Sequence, residues 1–183
     1  MRHADPVSTA PPDAPASGAR TPRILYRQAR VQDGTDQAEV FHHAVMQGAM
    51  AHYALEAREA WAAVLPREGC AWAARQALYT TLVATCDGRC VGFIEIDLRR
   101  DHIESLYVWP SLARRGIGST LLDHAERLLR EQGATCMGID ASLVMADGLE
   151  RRGWRRVREE WVERGGQRLC RRHLEKSLEA SGA

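Results

Sequence analysis

The stretch from Leu106 to Leu122, LYVWPSLARRGIGSTLL, constrains this chain most: it reads as a strand, a short loop, a glycine-bearing turn and then a helix. Ile117, Leu121, Leu122, Ala125, Leu128, Leu129 and Gln132 fall on one helical stripe, while Asp123, Glu126, Arg127, Arg130 and Glu131 fill the other side. Gly133 follows the last turn, where a left-handed cap is expected. The helix start is unusual. No Ser, Thr, Asp or Asn cap precedes it; the approach is Arg114-Arg115-Gly116-Ile117-Gly118. The first amides of a helix lack internal partners and carry the positive end of its dipole. Glycines leave those amides open, and two arginines beside them make a site for an anion such as a diphosphate. Two familiar phosphate loops do not fit. Leu121 stands where the dinucleotide pattern has its third glycine, and the Gly-Lys-Ser/Thr of a Walker loop is missing.

The flanks narrow the reading. Ile103-Glu104-Ser105-Leu106-Tyr107-Val108-Trp109-Pro110, then Arg-Arg-Gly-Ile-Gly-Ser and Leu-Leu, resembles the acetyl-CoA-binding motif of the GNAT superfamily of N-acetyltransferases. Ile139-Asp140-Ala141-Ser142, then Leu149-Glu150-Arg151-Arg152-Gly153-Trp154, is similar to that family's next block. The resemblance runs from about Ile24 to the C-terminus. It implies an α/β (α+β) fold: a mixed, mostly antiparallel sheet of about six to seven strands flanked by helices, with a splayed strand pair and a β-bulge at the coenzyme site. It implies acetyl-CoA as co-substrate and no metal. The diphosphate would sit on Arg114, Arg115, Gly116, Ile117, Gly118 and Ser119, and the pantetheine arm along Leu106, Tyr107 and Val108, with a contact from Ser142. The reaction implied is acetyl transfer to a primary amine of a small molecule or peptide by direct attack. A coenzyme-binding sensor without transfer is the alternative. A nucleotide binder of another kind is a third reading, which the two missing phosphate motifs disfavour.

An alkylamine of pKa ~10.4 lies about 3.4 units from neutrality at pH 7, a deficit of roughly 4.6 kcal/mol, so a general base is needed. The family often places a glutamate on the strand that holds Glu95, which is therefore the first candidate; Glu104 and His102 follow. Tyr53 and Glu95 are candidates on the acceptor side. The chain departs from the family pattern twice. Ala113 replaces the usual Gln or Arg before the first glycine, and Leu149 replaces the tyrosine that often protonates the thiolate, leaving Tyr107 or water for that task.

The remaining sequence bounds the setting. The 183 residues suit one domain over 23–183, preceded by a Pro-, Ala-, Ser-, Thr- and Gly-rich tail over 1–22 that is predicted to be disordered. A net charge of +1 and the lack of a long apolar run predict neither a nucleic-acid nor a membrane partner. No secretory signal is apparent, and the odd, scattered set of five cysteines points to reduced thiols in the cytoplasm. Cys86-x3-Cys90 lacks a second pair for zinc, and the adjacent His42 and His43 point ~100° apart on a helix. A homodimer is compatible with the family.

Along the chain, Ile24–Ala29 reads as a strand, and Asp33 as the cap of a helix to about Met50. Ala51–Ala77 is helical with a break near Pro66 and Gly69. Asp87-Gly88 predicts a hairpin between strands at 78–86 and 90–98, the second with Val91, Phe93, Glu95 and Asp97 on one face. In the next strand the apolar phase slips between Ile103 and Leu106-Val108, which predicts a β-bulge. A short strand at 136–139, a helix over 142–152 and a strand pair turned at Gly165-Gly166 complete the reading.

Overall fold

The computed structural model describes residues 23–179; the tail expected to be disordered over 1–22 lies outside the described residues. Seven strands form one sheet: β1 (Ile24–Gln28), β2 (Thr80–Cys86), β3 (Arg89–Asp97), β4 (His102–Val108), β5 (Cys136–Ser142), β6 (Arg155–Arg164) and β7 (Gln167–Ser177). Their order is β1-β2-β3-β4-β5-β7-β6. Every pairing is antiparallel except β4 with β5. The helices are α1 (Gly34–His43), α2 (Leu55–Ala62), α3 (Gly69–Arg75), α4 (Ile117–Glu131) and α5 (Leu143–Arg151). A π-helical turn, Ala44–Gly48, continues α1.

The sheet separates two cores. On one face, Ile117, Leu121, Leu122, Ala125 and Leu129 of α4 and Ala146 and Leu149 of α5 pack on Ile94, Ile96, Ile103, Met137, Ile139 and Leu174. The stripe read from the α4 sequence is thus the buried one, and burying each large aliphatic chain contributes about 1.5–3 kcal/mol. One residue departs from it. Glu126, placed on the polar side by its chemistry, is buried and receives a hydrogen bond from Lys176 Nζ of β7. On the other face, Phe41 of α1 and Trp72 of α3 pack on Val83, Cys90 and Phe93.

Turn chemistry explains the connections. Asp87 and Gly88 take φ of 48° and 81° between β2 and β3, and Gly165 and Gly166 take 50° and 76° between β6 and β7. Asp33 serves differently from the expected side-chain cap of α1. Its carboxylate accepts from Arg27 at 2.7 and 2.8 Å and from the Arg30 amide at 2.7 Å. Burial works to raise its pKa, but these partners outweigh it and hold the carboxyl below its ordinary value. Val91 also departs from its expected face. A register shift between Ala84 and Thr85 turns it to the α4 side, while Phe93 and Glu95 stay toward α1 and α3.

Candidate active site

The phase slip read in β4 is a register shift: Glu95 pairs with Ser105 and Ile96 with Ile103, so Glu104 is the extra residue. A bulge adds twist and bends the strand. On its other side β4 meets β5 at only two positions, His102 with Gly138 and Ile103 with Ile139. Beyond Ile103 the two strands part, although β4 runs on to Val108 and β5 to Ser142. The β5-facing amides and carbonyls of Glu104–Val108 are left without a ladder partner, an edge that an extended chain can pair with.

A cavity of about 290 Å³ occupies this gap, lined from β4 by His102, Glu104, Ser105, Leu106 and Tyr107 and from β5 by Ile139, Asp140 and Ser142. Phe41, Tyr53 and Trp61 close it on the α1–α2 side.

The helix start lies against the far end of β4. Gly116 takes φ of 85°, turning the chain so that α4 begins at Ile117 with no side-chain cap. Ile117 is buried and reaches Gly92, where an added Cβ would come within 3.2 Å of both Ile117 Cγ2 and the Tyr107 carbonyl. A side chain at that position would push the helix start off the sheet. The amide of Thr120 is bonded to Gly116 O at 2.9 Å. The three amides before it, Ile117, Gly118 and Ser119, are the first of the helix, and such amides find no acceptor within it. Arg114 and Arg115 are exposed and form no ion pair among the described residues. Uncapped amides, a left-handed glycine and two free guanidinium groups fit a diphosphate by charge and by donor count.

Glu95 stands elsewhere than the sequence reading expects. It is fully buried and does not line the cavity; its two oxygens accept from Arg75 Nε at 2.9 Å and Arg75 Nη2 at 2.7 Å. Burial opposes the charge on Arg75, but the hydrogen bonds and charge of Glu95 prevail and hold the guanidinium firmly protonated. A carboxylate that is sealed from solvent, absent from the cavity wall and held by a guanidinium on both oxygens is out of reach of an incoming amine.

Glu104 contributes to the cavity wall and, among the described residues, pairs with Arg100 alone, at 3.2 Å on the solvent side. His102 is buried beside it, and burial lowers its pKa, so the ring is neutral at pH 7. Its ring stacks on His173 at 6.1 Å between centroids. His173 in turn meets Asp140 at 2.8 Å, and Arg171 meets Asp140 at 3.3 Å. Burial works to raise the Asp140 carboxyl, but the His173 hydrogen bond and the Arg171 charge overcome it and keep it low.

Tyr107 does line the cavity. Its ring packs against Phe41 at 5.0 Å and Phe93 at 5.7 Å, and burial pushes its phenol above the ordinary value. Tyr53 lines the cavity with its ring, but its hydroxyl is committed to the fold. It donates to Cys170 O at 2.7 Å and accepts from the Leu143 amide at 2.8 Å, tying the start of α5 to β7. Leu149, in the position of the family's tyrosine, is buried in the core. Sequence reasoning missed Arg75, Asp140, Arg171 and His173. A lone glutamate amid apolar residues signals that a cation must come to meet it, and that signal could have found Arg75 at the end of α3.

Comparison with known proteins identifies the family and the fold. The family model described as Acetyltransferase (GNAT) domain matches residues 31–171. The N-acetyltransferase YafP of Escherichia coli K12 is 31% identical over 141 residues, covering 76% of this chain and 87% of that protein. A GCN5-related N-acetyltransferase structure from Rhodopseudomonas palustris aligns with a TM-score of 0.77 and 32% identity, covering 86% of this chain and 96% of that one. The structure of yncA from Salmonella typhimurium with its cofactor acetyl-CoA aligns with a TM-score of 0.60, covering 88% of this chain and 97% of that one; at 22% identity it shares the fold. No helix among the described residues is long and apolar enough to cross a membrane.

Proposed function

Because this chain belongs to the GNAT acetyltransferase family, we propose that it moves the acetyl group of acetyl-CoA to the amine of a small acceptor, with Glu104 rather than Glu95 taking the proton. The observation that carries this reading is the parting of β4 from β5 after Ile103, with the cavity set in the gap. Bound there, acetyl-CoA supplies its acyl group as a thioester. Arg114, Arg115 and the amides of Ile117, Gly118 and Ser119 hold the diphosphate. The free backbone edge of Leu106–Val108 holds the arm, and Ser142, at the start of α5, adds a side-chain contact.

Glu104 removes a proton from the acceptor ammonium, directly or through one water, and so frees the lone pair that attacks the acyl carbon. Glu104 lines the cavity, and Glu95 does not. As the carbon–sulfur bond breaks, the attacking nitrogen loses its second proton through water to the leaving sulfur, and Tyr107 donates a hydrogen bond to the thiolate as it forms. It does not surrender its proton, because a phenol held above its ordinary pKa keeps the proton against a thiolate whose acid has pKa ~8.5. Tyr53 shapes the acceptor end with its ring and holds α5 with its hydroxyl. We place the reaction in a single domain over 23–183; a homodimer and the cytoplasm are compatible with it.

The test is thiol release from acetyl-CoA against a broad amine panel, with wild type, Glu104→Gln and Glu95→Gln. Glu104→Gln is expected to lower kcat by ~10²–10⁴ with coenzyme affinity unchanged. Full turnover in Glu104→Gln rejects the base assignment. No release with any amine rejects the transfer reading.

A further inference from the structure

We propose that the acceptor is a small amine that also carries a carboxylate, an amino-acid-like zwitterion, and that Arg75 and Arg164 receive that carboxylate. This rests on the acetyl-transfer reading and names its substrate class.

The Arg75–Glu95 pair is hard to explain by stability. Glu95 is fully buried, and an apolar pair of similar volume commonly serves a core as well or better. What the pair does is fix a guanidinium. Glu95 takes the side edge, Nε and Nη2. Trp72 and Tyr79 lie 5.7 and 5.0 Å from the guanidinium carbon and hold its plane. The end edge, Nη1 with the second hydrogen of Nη2, bonds to no protein group among the described residues. Nη1 is also not among the sealed unpartnered polar atoms. Arg75 lines the cavity, and with its side edge held by Glu95 the end edge is the one left to meet a ligand there. Two parallel N–H bonds on a planar edge match a carboxylate.

Charge balance along the wall points the same way. Arg171 and Asp140 satisfy one another and are further matched by Glu160 and His173. Arg164 also lines the cavity; it donates only to the Glu163 carbonyl and forms no ion pair among the described residues. Glu104, whose contact with the exposed Arg100 at 3.2 Å is open to solvent, is the carboxylate that an ammonium in the cavity can compete for, and its charge strengthens the field on the Arg75 guanidinium. The wall therefore asks for one cationic and one anionic group on the same short molecule. A volume of about 290 Å³ is at the small end for ligand sites.

The experiment is calorimetric titration of the CoA-loaded protein with glycine, L-serine, L-methionine and L-phenylalanine, each beside its methyl ester and its decarboxylated amine. At least one acid is expected to bind tenfold or more tighter than its ester and its amine. In Arg75→Met/Glu95→Gln, which removes the guanidinium together with its buried counterion, that advantage should shrink to about twofold or less. In Arg164→Gln it should fall several-fold. Circular dichroism confirms that each variant is folded. If no acid outbinds its ester, or if folded double variant and Arg164→Gln both keep the preference, the proposal is overturned. An acid preference in binding without thiol release from acetyl-CoA rejects the transfer chemistry and leaves the carboxylate site standing.

Discussion

Gly118→Val is the sharpest probe of the helix start. An ideal Cβ at Gly118 meets one neighbour, Val108 Cγ2 at 3.6 Å, an ordinary contact. Valine therefore fits the fold, and helix propensity changes by only a few tenths of a kcal/mol in its favour. The branch stands in the opening between the first turn of α4 and the end of β4, where the diphosphate is proposed to lie. Charge-assisted hydrogen bonds contribute about 1.5–3 kcal/mol each. Pushing the diphosphate off even one amide therefore weakens CoA binding by roughly 10- to 150-fold. Calorimetric titration with CoA reads that loss, and a thermal melt without ligand checks the fold. Gly116→Ala is the contrast. Its Cβ meets nothing, but φ is 85°, so about 1–2 kcal/mol of stability should be lost while the amides stay open. An affinity for CoA in Gly118→Val within twofold of wild type would refute the diphosphate assignment.

Three further outcomes follow from named contacts. Glu95→Gln leaves the Arg75 charge without its counterion, so stability should fall by roughly 3 kcal/mol and Tm by about 6 °C or more; an unchanged melt would mean that the pair is dispensable. Tyr53→Phe removes the bridge from Leu143 to Cys170, at about 1–3 kcal/mol, with hydrogen exchange speeding at the Leu143 amide; unaltered exchange there argues against the bridge. Burial lowers the folded-state pKa of His102 below the ordinary histidine value of about 6.5, so the unfolded chain binds more protons and stability falls as pH drops below that value. In His102→Gln the decline of Tm between about pH 7 and pH 5 should be shallower than in wild type, and an identical slope contradicts this assignment.

The legible parts of the chain were those written in short-range pattern. The α4 stripe, the Asp87-Gly88 turn and the slip between Ile103 and Leu106 each lie within one element, so spacing alone locates them. Relations between elements were not legible. Arg75 reaches Glu95 of β3 from the end of α3, and Tyr53 bridges to residues 90 and 117 positions away. Such contacts depend on how α3 and the loop before α2 settle on the sheet, which no periodicity encodes. The side of Val91 was misread for a different reason: strict alternation along β3 places it with Phe93, but the adjacent Ala84 and Thr85 pair with Gly92 and Cys90, so Val91 is itself the extra residue of a bulge.

The seam at His102 and Ile103 has a mechanical consequence. Two rungs join a wing of β1 to β4 to a wing of β5 to β7. A guest lying along the vacant rim of Glu104–Val108 becomes a temporary eighth member of the ladder, and its arrival stiffens the joint between the wings. Occupancy is then written into the backbone itself, as slowed amide exchange on both banks of the cleft.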